Sequence, residues 1–115
     1  MREIKFRAWN EWADRKEMVY FKVDEPKAIE NTAWNAEIMQ YTGLKDENGK
    51  EIYEGDIVKI EDDKCTIEFN NYGFGAKSLE YKDFILFGEV DMLDTHVIEV
   101  IGNIYEDKHL LEEEI

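Results

Sequence analysis

The sequence predicts a mainly β fold, built as a small antiparallel barrel or as two packed sheets. Three observations predict it. Apolar and polar residues alternate over short runs, as in "KCTIEFN" (64–70), the period of a half-buried strand. Clusters of Gly, Asn and Asp punctuate those runs with turn chemistry. Helix signals are confined to two short stretches, 25–34 and 107–113. Such an arrangement buries alternate residues and leaves few open edges.

In "REIKFRAW", Ile4, Phe6 and Ala8 share one strand face, while Lys5, Arg7 and Trp9 share the other. "EMVYFKV" (17–23) is apolar on both faces and rich in β-formers, which reads as a central strand. "NEWADRK" between them is polar enough for a hairpin loop, so these two strands pair. In the stretch after residue 23, Asp24 is placed to cap a helix with Pro26 in its first turn. Ala28, Ile29 and Ala33 would then face the core; an irregular connection is the alternative. "EIMQYT" reads as strand again.

The most marked stretch is "MQYTGLKDENGKEIYEGDIVKI" (39–60). Asp46 is placed to start a type I turn. Asn48 and Gly49 tolerate the conformations that close a hairpin with a bulge. Leu44 and Ile52 or Tyr53 would flank that turn. "YEGD" is a second turn, with Gly55 at positive φ, and "DIVKIE" leaves it as a strand. Asp62 and Asp63 make a third turn. On the returning strand Cys65, Ile67 and Phe69 share one face, and Lys64, Thr66 and Glu68 the other. "NYGFGAK" reads as a further turn, "SLEYKDFILF" as one or two strands, and "THVIEVIGNIY" as the last. "EDKHLLEEEI" makes a short terminal helix, with Asp107 near its start and Leu110 and Leu111 facing in.

The chain has 115 residues, 43% of them apolar. That is enough for one domain with a real core and too few for two, so residues 1–115 are read as a single domain. Acids outnumber bases 28 to 14, a net charge of -14. This balance disfavours the phosphate backbone of nucleic acid and anionic membranes, and favours a basic partner. No apolar run approaches the roughly 18 residues of a membrane span. The N-terminus, charged from residue 2, lacks a signal sequence's apolar region. Cys65 is the only cysteine and has no internal disulfide partner. The cytoplasm is the expected compartment.

Candidate chemistry is thin. Asp91, Asp94 and His96 in "DMLDTH" have the donor types of a divalent-metal site, although a loop leading into a strand explains the same residues. His109 reads as solvated. Cys65 would be a nucleophile if a histidine approached it, but its alternation with Ile67 and Phe69 places it in the core, where a thiol is inert. Glu54 with Asp56, and Glu61 with Asp62 and Asp63, are neighbouring acids of the kind that glycosidase chemistry sets across a cleft. The turn around Gly55 explains the first pair. Tyr72 and Phe74 in "NYGFG", with Trp9, are candidate binding aromatics: such rings on a barrel surface stack bases when a positive groove assists, and the charge is wrong for that. A glycine turn whose aromatics cover a barrel end is the plainer reading. Trp12 and Trp34 read as core or interface residues. No phosphate-binding glycine loop, HExxH or CxxC occurs. No cofactor is expected.

Three blocks, "EIKFRAWN", "MQYTGLKDENGKEIYEGDIVKI" and "VIGNIYE", occur in an order that resembles the YopX-like family of small phage and prophage proteins of Gram-positive bacteria. Asn10 departs from the Asp of that pattern. Segments 24–37 and 70–96 carry no matching motif. The resemblance implies a mainly β fold with SH3-like or partly open barrel character and a phage or prophage origin; it implies no reaction. "EGDIVKI" is also similar to the entry strand of SH3-like barrels in general.

Three functions are weighed. The first is a non-enzymatic accessory protein that binds another protein, with self-association through apolar strand edges as a variant. The second is an acidic mimic of DNA that captures a nucleic-acid-binding host protein. Lysines interrupt its acidic runs, as in "KDENGKE". The third is a small metal-dependent hydrolase or nuclease built on Asp91, Asp94 and His96.

Overall fold

The computed structural model describes residues 4–22, 35–70, 73–86 and 98–112. The expected helix at 25–34 lies outside them. Among the described residues nine strands form two antiparallel sheets. The first sheet contains β1 (Lys5–Glu11), β2 (Lys16–Lys22), β3 (Glu37–Lys45) and β4 (Glu51–Tyr53) in the order β2-β1-β3-β4. The second contains β5 (Asp56–Ile60), β6 (Asp63–Asn70), β7 (Gly73–Ser78), β8 (Phe84–Leu86) and β9 (Ile98–Asn103) in the order β8-β7-β6-β5-β9. A four-residue helix, α1 (His109–Glu112), follows. No helix among the described residues is long and apolar enough to cross a membrane. The mainly β, partly open barrel is thus what the alternation and turn signals foretell.

The β1–β2 hairpin closes through 12–15, where the Trp12 amide donates to the Arg15 carbonyl (2.8 Å). Its second strand corrects a sequence-based expectation. β2 ends the sheet order, and β1 lies between β2 and β3. Apolarity on both faces of β2 reports packing on both faces and not a central position. On one face Phe21 stacks on Phe6 (5.7 Å between centroids), and on the other Tyr20 meets Tyr53 edge-on (5.4 Å). In the second sheet β5 is an interior strand, one place from the β9 end. Ile57 and Val58 are both fully buried there, between β6 and β9.

β3 serves two neighbours. Its first half, Glu37–Gln40, pairs with β1, and its second half pairs with β4 across a register shift between Tyr41 and Lys45. Leu44 packs against the core that Ile52, Val58, Cys65, Ile67, Ala76 and Ile98 form. The β3–β4 turn is the expected one. The Gly49 amide donates to the Asp46 carbonyl (3.0 Å), and Gly49 takes φ of 83°.

Three details differ from the sequence reading. The β5–β6 turn is Glu61–Asp62, because Ile60 pairs directly with Asp63 and Glu61 takes a φ of 57°. "GFGAK" is strand β7 and not a turn; Asn70 pairs with Gly73 and confines the connection to residues 71–72. Phe69 shares the inner face with Cys65 and Ile67 but lies past the core, 56% exposed.

Candidate functional site

The three motif blocks meet in space. Arg7 on β1 extends to the start of β5, where its Nη2 donates to Asp56 Oδ1 (2.8 Å) and to the Glu54 carbonyl (3.1 Å). Both side chains are almost wholly buried, and the guanidinium lies 4.9 Å from the Tyr53 ring centroid. Asp56 Oδ2 accepts the Tyr53 amide (2.7 Å), an acid closing its own turn. Burial pushes the Asp56 carboxyl up, against the pull of Arg7 and of that amide. Arg7 Nε has no partner among the described residues.

Gly55 holds the turn at φ 88°. A Cβ there would stand 2.8 Å from Met39 Sδ, so sterics and backbone both require glycine. Its amide donates to the Ile67 carbonyl (2.8 Å) on β6, and its carbonyl accepts the Ile104 amide (2.9 Å) beyond β9. The last block folds around Asn103, whose Oδ1 accepts the Tyr105 and Glu106 amides (3.0 and 2.8 Å). That turn sets Tyr105 against Trp9, with ring centroids 5.8 Å apart. Burial raises the Tyr105 hydroxyl pKa, helped by the nearby Glu37 and Glu54 carboxylates.

The middle block has a second anchor. Asp46 Oδ1 accepts the Asn48 and Lys50 amides (2.9 and 2.8 Å), and its Oδ2 accepts the Val100 amide of β9 (2.9 Å). Burial pushes this carboxyl up, but the three amides outweigh it and hold it below its ordinary value. The neighbouring Glu47 amide donates to the Ile98 carbonyl (2.9 Å). Asn10 is fully buried and donates its amide nitrogen to the Ala8 carbonyl (3.1 Å). A carboxylate has no such donor.

This junction is polar. Its carboxylates are engaged by amides and a guanidinium, which suits the joining of the sheets. Lys5 and Arg7, which the alternation of the first strand sets on one face, are both paired: Lys5 with Glu51, and Arg7, inside, with Asp56. Sequence reasoning missed the Arg7–Asp56 pair. The available signal was an Arg at an alternating strand position in one block and an Asp after the Gly turn of another.

Of the candidate binding aromatics, Trp9 and Phe74 lie on different sheets. Trp9 is 8% exposed on the first sheet, against Tyr105, with its indole N–H donating to Glu11 (3.1 Å). Phe74 is half-buried on the second sheet, edge-on to Phe69 (4.9 Å). Tyr72 lies outside the described residues, as do Trp34, Asp91, Asp94 and His96. Among the described residues no group of three or more His, Cys, Asp or Glu is placed to hold a metal. Cys65 is buried beside Asp63 (Sγ to Oδ2 3.8 Å); burial and that carboxylate push its thiol up to about 12. A thiol so held is protonated and a poor nucleophile at neutral pH.

These features define a class: a two-sheet antiparallel β protein whose sheets are joined through a buried ion pair and two side-chain-capped turns. The chain belongs to the YopX family, whose model, described as YopX protein, matches residues 5–112. That match also runs through the segments in which the sequence shows no recognisable motif. Among solved structures the chain is similar to protein EF1440 from Enterococcus faecalis, with 24% identity over 96% of this chain and 99% of that one and a TM-score of 0.61. The likeness concerns the fold. No curated protein matches the chain.

Proposed function

We propose that the protein is a non-enzymatic, protein-binding accessory module of phage or prophage origin that acts in the cytoplasm. The carrying observation is that apolar side chains stand in solvent on the strands that end both sheets. Tyr20 on β2 is 56% exposed, and Ile85 on β8 is 46% exposed. Sheet ends of this kind are templates for a partner. The net charge of -14 favours a basic partner over nucleic acid, and the pairing of Lys5 and Arg7 with acids supports the same choice. The DNA-mimic alternative gains less. Lys59 and Lys64 flank the acids of the β5–β6 turn, whereas a mimic needs an unbroken acidic row.

The test is affinity capture from a Gram-positive host lysate, with and without prophage induction, followed by mass spectrometry. A single stoichiometric protein is expected. Enrichment of nothing, or only of DNA-binding proteins released by added DNA, would displace the reading. In a gel-shift titration at about 150 mM salt, neither duplex nor single-stranded DNA should bind. Micromolar, salt-sensitive binding would instead favour stacking at Tyr72 and Phe74.

A further inference from the structure

The inner face of the second sheet continues past the core. Cys65 and Ile67 on β6 lie opposite Ser78 and Ala76 on β7, and Ala76 lies opposite Ile85 on β8. Side chains directly opposite in an antiparallel pair point to the same face. Deep in this face Cys65 and Ala76 are buried; at its margin Ile85 and Tyr81 are 46% and 65% exposed. Between them lies a hollow of about 120 Å³, floored by Ile60, Cys65 and Ala76 and walled by Tyr81 and Ile85. Pockets for whole small molecules run to about 300 Å³ or more, so this one has room for a single side chain.

Its rim is acidic. Asp63 and Asp83 border the hollow, and Asp63 is shared with an adjoining notch lined by Asp62, Lys64, Leu79 and Glu80, where Lys64 Nζ donates to the Leu110 carbonyl (3.1 Å). Among the described residues Asp63 accepts from neutral donors, the Ser78 hydroxyl (3.0 Å) and the Cys65 thiol. Among the described residues none of these four carboxylates is in an ion pair. They contrast with Glu51 and Asp56 of the junction, each matched to a base. An apolar socket for one side chain beside unmatched negative charge is complementary to an aliphatic residue flanked by lysine or arginine.

We propose that this hollow docks a segment of a partner protein in which an aliphatic side chain is followed or preceded by a basic one. The aliphatic group enters between Tyr81 and Ile85, and the cation lies over Asp63 and Asp83. The inference rests on the protein-binding reading above and adds to it the surface and the partner's chemistry.

The test uses the whole isotope-labelled chain and amide chemical shifts. The probe is a heptapeptide alternating lysine and leucine, with lysine–serine and glutamate–leucine heptapeptides as controls, at about 150 mM salt. Shifts are expected at Cys65, Ala76, Ser78 and Ile85, with affinity at least tenfold weaker for either control. Asp62→Lys combined with Asp83→Lys should weaken the lysine–leucine peptide roughly five- to tenfold. Ile85→Ser should weaken it comparably, and unchanged resonances at Ile52 and Val58 certify that each variant is folded. Equal binding by the lysine–serine peptide would overturn the proposal, as would shifts confined to Tyr20 and Lys22, or none. Concentration-dependent shifts at the hollow without peptide would assign it to a second copy of the chain and also overturn it. None of these outcomes touches the broader protein-binding reading, which falls on the lysate capture or the gel shift.

Discussion

The junction and the outer end of the β6–β8 face both set tyrosine beside aspartate and are opposite in kind. At the junction Arg7, Tyr53, Asp56 and Trp9 are buried, and the two charges face one another. At the outer end Tyr81 and Ile85 are exposed, and the nearby acids lack basic partners among the described residues. The first region contains the most recognisable words of the sequence; the second contains none. The difference teaches that a motif can be conspicuous because many constraints of folding coincide in it. A buried ion pair, a glycine-only turn and an aspartate with three amide partners each forbid substitution. A docking face needs only exposed apolar area and a charge balance, and many sequences supply those.

The largest effect should come from Arg7→Ala. It strands Asp56 in the interior, which costs about 3–5 kcal/mol, whereas Asp83→Lys in the other region should stay within about 0.5 kcal/mol of the parent. Urea unfolding of both variants measures the contrast, and comparable losses would dissolve the distinction between the regions.

Next is Asp46. Removing its carboxylate in Asp46→Ala leaves three amides without their acceptor and should cost about 2 kcal/mol. The folded-state value is lowered from 3.8, so the carboxylate's contribution is present above that pH and is lost as pH falls below it through the folded value. The stability gap between parent and Asp46→Asn should therefore narrow as pH falls below 3.8. A constant gap would show that the charge of Asp46 does not act through those amides.

The glycines come third. Gly49→Ala meets open space and pays only for its positive φ, about 1 kcal/mol. Gly55→Ala pays the same and must also displace Met39 Sδ. Thermal melts should rank Gly55→Ala below Gly49→Ala, and the reverse order would detach Gly55 from the junction. The smallest effect is kinetic: Cys65 should label slowly with a thiol reagent in native buffer and quickly once unfolded. Fast native labelling would place it outside the core.

Much of this was legible in the sequence, for definite reasons. The turn at Asp46 and Gly49, the turn at Gly55 and the inward face of Cys65 and Ile67 are local, set by a backbone preference or a two-residue period. What was not legible depends on contacts distant along the chain. "GFGAK" looks like a turn because it is rich in glycine. Yet a Cβ on Gly75 would stand 2.4 Å from the Ile85 carbonyl, so that glycine is there to let β8 approach. Lys5 and Arg7 look like surface bases because their acids, Glu51 and Asp56, lie more than forty residues away. β2 looks central because strand order is not written in any one strand. Trp9 gave no sign of its partner, since Tyr105 lies at the other end of the chain.

The central claim is that the motif blocks join the sheets through Arg7 and Asp56, and a double-mutant cycle tests it most directly. Arg7→Met, Asp56→Asn and the double variant are unfolded in urea beside the parent; Asn keeps an acceptor for the Tyr53 amide. The account predicts that each single change is strongly destabilising and that the double variant is more stable than the sum of the two losses allows, with a coupling of about 2 kcal/mol or more. Additive, small losses would contradict it and leave the junction without its pin.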